Sequence, residues 1–218
     1  MFLLATRINY NQELEELTDD VKNMGIYLER VLTKVIENLK AEDKVLARHV
    51  MGNDDKFDRC ERQIEQKCFD LVVKQAPIAG DWRRIASILK MVSDIERMGD
   101  HCQDLSQYTL LLAELPSVEL PPYFTEMVDV MQLMVHNSIS CFIQSDTKLA
   151  NQVIAMDDTV DDFFIRWRED LIKLMEAHPE HIAQYVYYLM IGKYIERIAD
   201  HTTNISEWII YTVTSELK

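Results

Sequence analysis

Apolar residues recur at alternating spacings of three and four along most of the chain, a pattern typical of amphipathic helices. The first run starts at Leu14 and Leu17 and predicts one long helix over about residues 11–49. Breaks between runs fall at glycine and proline positions, where helices commonly end. No strand pattern competes, so we expect an all-α fold. Five further helices are predicted: Asp54 to Gln75, Gly80 to about Leu115, Pro122 to about Met156, Asp157 to Ala177, and a sixth after Pro179 that runs toward Tyr211.

The second half of the chain repeats the first. Residues 95–101 read Ile-Glu-Arg-Met-Gly-Asp-His, and residues 195–201 read Ile-Glu-Arg-Ile-Ala-Asp-His. An Asp-x-x-x-Asp pair precedes each of these blocks, and the proline-rich residues 114–122 supply a linker between the halves. We therefore expect two tandem three-helix bundles, the first over residues 1–115 and the second over residues 116–218.

The repeated carboxylates are spaced to meet between two antiparallel helices in each half. Residues four apart share one face of a helix, and the carboxylate pairs stand symmetrically about Pro77 in one half and about His178–Pro179 in the other. Two carboxylates about 5 Å apart repel by roughly 3 kcal/mol at an effective dielectric constant of 20, which favours a bound cation. Oxygen donors suit Mg, Ca, Mn, Fe or Zn. The predicted ligands are Asp54, Asp58, Glu96, Asp100, Asp157, Asp161, Glu196 and Asp200.

Two alternatives stay open for these acidic positions. Acidic runs on a helical bundle commonly form a solvated face, and Arg59, Arg97 and Arg197 could neutralise part of the charge. His101 and His201 follow the last carboxylate of each motif, but one residue turns a helix by about 100°. Each histidine is therefore as consistent with a supporting or surface group as with a metal ligand.

Charge and composition limit the kinds of molecule that this protein can bind and the cell compartment in which we expect it. The formal net charge of −14 repels nucleic acid and anionic lipid. No stretch approaches the ~20 apolar residues of a membrane span, so we expect a cytoplasmic protein that reaches a membrane only through partners. Cys60, Cys68, Cys102 and Cys141 lie in apolar-periodic segments and are expected to be buried thiols, although a redox role stays open.

Nothing in the chain indicates a catalytic nucleophile. The sequence contains no phosphate-binding glycine-rich loop, and its five glycines leave little room for one. A carboxylate-bridged metallohydrolase or di-iron-type enzyme is the alternative function, since neighbouring metals can activate water or oxygen. The Glu-x-x-His motif of ferritin-like bundles is absent from both repeats. A purely structural helical protein is the third hypothesis.

The repeated Glu-Arg-x-Gly/Ala-Asp-His blocks and the paired Asp-x-x-x-Asp motifs resemble the PhoU family of phosphate-uptake regulators. Residues 75–83, Gln-Ala-Pro-Ile-Ala-Gly-Asp-Trp-Arg, are similar to the family pattern Q-x-P-x-A-x-D-x-R. Residues 204–207, Asn-Ile-Ser-Glu, look like the family's N-I-x-E. The likeness covers nearly the whole chain. The sequence departs from the family pattern at Met98, where the family often has isoleucine, and at Ala199, where glycine is common. Neither change removes a predicted ligand.

The resemblance implies two three-helix bundles related by a pseudo-twofold axis, with multinuclear iron or zinc clusters on the eight carboxylates. It also implies a negative regulator that acts by contact and not by catalysis. Its implied partners are the ATPase subunit of the phosphate ABC transporter and a phosphate-sensing histidine kinase. Because bundle faces of this length commonly self-associate, we also expect a homodimer.

Overall fold

The structure is a computed structural model that describes residues 2–41, 55–75 and 77–216. These residues form six α-helices and one turn of 3₁₀-helix, and no strand occurs among them. The predicted all-α fold is confirmed. The helices are α1 Phe2–Ala41, α2 Asp55–Gln75, α3 Ala79–Leu112, α4 Tyr123–Gln144, α5 Thr147–Ala177 and α6 Ile182–Thr214, with the 3₁₀ turn Pro179–His181 before α6.

The helices of the first half agree with the hydrophobic pattern in their interior and differ at their ends. The prediction that the first helix begins near residue 11 is wrong, because α1 begins at Phe2. Its predicted end near residue 49 lies outside the described residues. α2 ends at Gln75 as predicted, whereas α3 ends at Leu112, slightly before the predicted Leu115. The boundary between the two halves at residues 115 and 116 stays a prediction.

The second half contains one error of helix assignment. The predicted fourth helix runs to Met156, but α4 ends at Gln144 and α5 begins at Thr147. Ser145 adopts a left-handed conformation with φ 54°, which a continuous helix does not allow. Asp146 then caps α5 by accepting hydrogen bonds from the backbone N–H groups of Lys148 and Leu149. A single aspartate cap, with neither glycine nor proline, therefore separates these helices.

α3 and α6 pack against each other at the centre of the molecule, and the remaining helices of each half flank them. The predicted seam of α3 is buried at Ile85, Ile88 and Val92. α1 and α4 also contact each other across the two halves. This arrangement leaves α2 against α3 and α5 against α6, so each candidate carboxylate set lies at the junction of an outer helix with a central helix.

Side-chain volume at the motif explains the glycine in the first block. A Cβ atom on Gly99 would lie 2.6 Å from the ring of Phe57, far inside van der Waals contact. The residue equivalent to Phe57 in the second half is Val160, which is smaller and leaves room for the methyl group of Ala199. Gly99 and Ala199 are therefore each matched to the side chain on the neighbouring outer helix.

A second pair of facing residues is also matched in size, but here the glycine is in the second half of the chain. A Cβ atom on Gly192 would lie 2.5 Å from the indole of Trp167, which is fully buried. The equivalent positions in the first half are Val92 and Ile64, two side chains of middle size. The second half therefore combines a large and a small residue where the first half has two of middle size, and each half keeps a filled core.

The cysteines are largely buried, as predicted. Cys68, Cys102 and Cys141 are buried and Cys60 is half-buried, and all four thiols are free. Burial raises the pKa of Cys68 and of Cys102 to about 12, so these two thiols stay protonated near neutral pH. No helix in the described part of the chain combines the length and the apolar character that a membrane span requires.

Candidate metal centre

The first carboxylate cluster lies between α2 and α3. One oxygen from each of Asp58, Glu96 and Asp100 lies within 4.8 Å of the other two. Glu96 and Asp100 stand four apart on α3 and share a face, and Asp58 faces them from α2. Asp54 lies outside the described residues, so its predicted contribution stays a prediction. The spacing about Pro77 placed the three described carboxylates correctly in register.

The second carboxylate cluster repeats this geometry between α5 and α6. Asp161, Glu196 and Asp200 each present one oxygen within the same 4.8 Å limit. Asp157 does not join that compact group, although its carboxylate interacts electrostatically with Asp200 and Asp161. The structure therefore brings together three of the four predicted second-half residues, with the fourth at the edge. Their role as metal ligands stays a prediction.

Burial and mutual repulsion make it unfavourable for all carboxyl groups of a cluster to be ionised at once. Burial, followed by the charges of Asp100, Glu61 and Asp58, raises the pKa of Glu96 to about 7, and Arg97 opposes this only in part. Burial and the neighbouring carboxylates also raise the pKa values in the second cluster, to about 6 for Asp157 and in the same direction for Asp161 and Asp200. The charge in these clusters is therefore incompletely compensated.

The donor chemistry of both clusters fits a multivalent cation. Each set consists of carboxylate oxygens, which suit hard and borderline metals such as Fe or Zn and not soft Cu(I). Asp157 Oδ1 is buried, and the Asp157 carboxylate interacts with the Thr203 hydroxyl, while its remaining lone pairs keep acceptor capacity for a ligand. A bound cation would relieve the repulsion that raises the pKa values.

The motif comparison missed two charged residues beside the clusters. Glu61 stands one turn beyond Asp58 on α2 and accepts a hydrogen bond of 2.8 Å from Ser93 Oγ. Lys193 stands one turn before Glu196 on α6 and forms an ion pair with its carboxylate. Each lies one helical turn from a predicted ligand, and this spacing is the sequence feature that indicates a place beside the cluster. They were overlooked because neither residue is repeated in the other half.

His101 and His201 lie at the contact between α3 and α6 and belong to neither carboxylate group. Their rings stack with centroids 5.5 Å apart. His201 Nδ1 donates to Asp94 Oδ1 at 2.8 Å, and His101 Nδ1 lies 3.4 Å from Asp104 Oδ2. Because two equivalent residues contact each other, the pseudo-twofold axis passes between the imidazoles.

The carboxylate partner of each histidine comes from a different position in each half. His101 pairs with Asp104 of its own helix and packs against the ring of Tyr194 on the opposite helix. His201 instead pairs with Asp94 of the opposite helix, and Asn204 of its own helix donates to the same carboxylate oxygen. Each imidazole therefore keeps one carboxylate, although the position that supplies it has changed.

We expect the metal-free protein to become more stable as the pH falls from 8 to 6.5. Glu96 has a pKa raised to about 7 by burial and neighbouring carboxylates, so the folded state binds its proton more tightly than the unfolded state. The stabilisation is present below the unfolded pKa and is lost as the pH rises through 7. After discounting for solvent screening, the melting temperature should rise by about 1–2 °C, measured by circular dichroism with chelator present.

Glu96→Gln is the control for this pH dependence, because it removes the carboxyl with the pKa of about 7 and should reduce the difference to the smaller contribution of groups such as Asp157. Burial lowers the pKa of His101, so the folded protein loses stability when the pH falls below the ordinary pKa of a histidine. The comparison therefore stops at pH 6.5. The exposed Asp70, with a pKa lowered by its hydrogen bonds from Gln66 and Lys74, loses its contribution only in more acidic solution. A wild-type melting temperature that falls between pH 8 and 6.5 would contradict the expectation.

Known proteins resemble this chain over most of its length. The PhoU domain model matches residues 21–109 and again residues 124–209. The phosphate-specific transport system accessory protein PhoU homolog of Aquifex aeolicus is 35% identical over 85% of this chain and 84% of that protein.

Solved structures agree with the sequence comparison. The crystal structure of PhoU from Pseudomonas aeruginosa has a TM-score of 0.89 and 30% identity, covering 95% of this chain and 100% of that one. That of the phosphate transport system regulatory protein PhoU from Streptococcus pneumoniae has a TM-score of 0.88 and 27% identity, covering 96% of this chain and 99% of that one. With two matched domains and a shared fold, the chain belongs to the PhoU family.

Proposed function

We propose that this protein is a cytoplasmic, metal-binding negative regulator of phosphate uptake and of the genes that respond to phosphate. It acts by contact with the ATPase subunit of a phosphate ABC transporter and with a phosphate-sensing histidine kinase. The observation that carries the proposal is the pair of repeated carboxylate clusters on a chain whose relatives are named accessory and regulatory proteins of phosphate transport.

Each carboxylate cluster holds a multinuclear metal centre of iron or zinc in this proposal. Bound metal supplies positive charge at the junction of an outer helix with a central helix. The ligands Asp58 on α2 and Glu96 on α3 then tie one hairpin together, and Asp161 on α5 and Glu196 on α6 tie the other. Because the carboxylates repel each other without a cation, metal binding stabilises the folded hairpins.

Exposed apolar side chains support a function exerted by contact. Phe69 and Trp82 are 55% and 48% exposed on the α2–α3 hairpin, and Ile172 and Ile182 are 49% and 45% exposed on the α5–α6 hairpin. Apolar residues of this size on a surface commonly take part in protein interactions. The same consideration supports self-association, and we propose a homodimer. The names of the relatives describe regulators and not enzymes.

Phosphate uptake in living cells tests the proposal. In a bacterium that lacks its own relative, expression of this protein should restore restraint of radiolabelled phosphate uptake in phosphate-rich medium. The Asp100→Ala, Asp200→Ala double variant should fail to do so at equal expression. Asp70→Ala with Asp129→Ala is the matched control, since it removes two exposed carboxylates outside both clusters.

The outcome that contradicts the regulator is unrestrained uptake by cells that contain wild-type protein at the level of the missing relative. Direct binding gives an independent measurement. Immobilised wild-type protein should bind the purified ATPase subunit and the cytoplasmic part of the kinase in biolayer interferometry. Absence of binding to both, with metal-loaded protein, would contradict the contact mechanism.

A further inference from the structure

In both clusters the compact group is two aspartates and one glutamate with oxygens within 4.8 Å of one another, so neighbouring residues are a source of any difference in metal binding. Both clusters consist of one aspartate from an outer helix and a glutamate and an aspartate one turn apart on a central helix. Several neighbours of these positions are repeated between the halves, but Glu61 and Lys193 are not. These two residues change the charge that a metal ion meets at each cluster.

Lys193 places a positive charge inside the second cluster. Its Nζ donates to Glu196 Oε2 and lies 5.4 Å from the ring centroid of Phe164, which packs beside it. The Glu196 side chain is only 13% exposed, so this ion pair is partly shielded from water. Burial and the neighbouring carboxylates raise the pKa values of Asp161 and Asp200, and the same ammonium group opposes this rise in part. Lys193 thus interacts with all three carboxylates of the second cluster.

At the equivalent positions, the first cluster has an uncharged residue in place of the lysine and a negatively charged residue in place of the phenylalanine. Ser93 stands where the second half has Lys193, and Glu61 stands where it has Phe164. Ser93 Oγ donates to Glu61 Oε1 at 2.8 Å, which holds this additional carboxylate near Glu96. The opposing cation that acts on Glu96 is Arg97, whose side chain is exposed. Arg62 lies 3.7 Å from Asp58 Oδ2 in the first cluster, but the two side chains are 66% and 41% exposed. Asp158 and Asp162, which act on Asp161 in the second cluster, are also exposed. Because water screens exposed charges, the more shielded Glu61 and Lys193 make the larger difference between the clusters.

We infer that the two clusters bind metal with unequal affinity, the first more tightly, because Lys193 acts as a competing internal cation at the second. This inference rests on the proposed metal-binding function. A metal ion entering the second cluster must displace Lys193 from Glu196 and leave two like charges close together. A metal ion entering the first cluster gains the attraction of Glu61. Limiting metal therefore fills the first half of the molecule before the second.

Single-cluster variants of the full chain measure the two affinities separately. Asp200→Ala leaves the first cluster intact, and Asp100→Ala leaves the second intact. Metal-stripped protein is titrated with Mn²⁺, and free Mn²⁺ is measured by electron paramagnetic resonance. We expect the first cluster to bind Mn²⁺ about tenfold more tightly than the second, the size of effect that one partly shielded charge produces.

Substitutions of Lys193 test the cause of the difference. In the Asp100→Ala background, Lys193→Met keeps the aliphatic stem against Phe164 and removes the charge, so the second cluster should gain about tenfold in Mn²⁺ affinity. Lys193→Arg keeps the charge and should leave the affinity low. In the Asp200→Ala background, Glu61→Gln should weaken the first cluster. Far-ultraviolet circular dichroism checks that each variant is folded.

Equal Mn²⁺ affinities in the two single-cluster variants would overturn the inference, and so would an unchanged affinity after Lys193→Met. Either result leaves the proposed metal-binding function standing, because metal is still bound. A wild-type protein that binds no Mn²⁺, Fe²⁺ or Zn²⁺ overturns both. The wild-type titration therefore distinguishes failure of the inference from failure of the metal-binding function.

Discussion

Asp100→Ala combined with Asp200→Ala is expected to abolish metal binding while the helix content stays near that of the wild type. Each substitution removes one carboxylate from a group of three whose oxygens lie within 4.8 Å, and two remaining carboxylates hold a multivalent cation weakly. Both residues lie at the end of the motif on a central helix, and alanine is a good helix former. Mass spectrometry of metal content, on protein purified without chelator or affinity tag, gives the measurement.

We expect two or more Fe, Zn or Mn ions per wild-type chain and none in the double variant. The Asp70→Ala, Asp129→Ala variant has the same change in net charge and should keep the wild-type metal content. If the double variant has an unchanged metal stoichiometry, the ligand assignment is wrong. If wild-type protein stays metal-free under several metal supplementations, the carboxylates form a solvated acidic face, which was the alternative left open by the sequence.

Trp167→Ala is expected to cause the largest loss of stability, about 3–5 kcal/mol in the free energy of unfolding. The indole is fully buried and stacks on Phe124 with ring centroids 4.6 Å apart. Its Nε1–H donates to the backbone oxygen of Tyr188 at 3.1 Å, and the side chain fills the space above Gly192. Alanine would leave a cavity and would remove this hydrogen bond. Denaturant unfolding followed by circular dichroism measures the loss.

Trp82→Ala is the matched control for this substitution. Its indole is 48% exposed, so the same change in residue type should cost much less, about 1 kcal/mol or below. Comparable losses of unfolding free energy in the two variants would show that burial of Trp167 contributes no more to stability than the half-exposed Trp82. In the same experiment, a loss below about 1 kcal/mol for Trp167→Ala would contradict the structure's account of that core.

The hydrophobic period predicted the helices well because burial repeats every three or four residues along α3 and α6. The error at Met156 has a local cause. The break before α5 depends on a left-handed Ser145 and the Asp146 cap, and serine in that conformation has no distinctive sequence signal. Asp146 was a usable signal, since aspartate is a preferred N-cap. The repeat aligns it with Asp43, which lies outside the described residues.

Repetition located the candidate site but hid part of its chemistry. Comparison of the halves selects the residues that they share, and it correctly placed Asp58 against Glu96 across the α2–α3 hairpin. The same comparison does not select residues that differ between the halves, such as Glu61 and Lys193. The placement of His101 and His201 at the α3–α6 contact also required coordinates, because sequence spacing does not show how the two halves pack.

The stacked imidazoles of His101 and His201 have a consequence for the origin of the chain. Equivalent residues that meet on a twofold axis form a self-complementary surface, which is the surface that two identical subunits use to pair. A polypeptide with a single three-helix unit would therefore dimerise through this face. The contact is not fully symmetric, because His101 pairs with Asp104 of its own helix and His201 pairs with Asp94 of the opposite helix. The internal repeat and this contact are what duplication and fusion of the gene for one self-pairing three-helix unit would produce, with the two copies then free to differ.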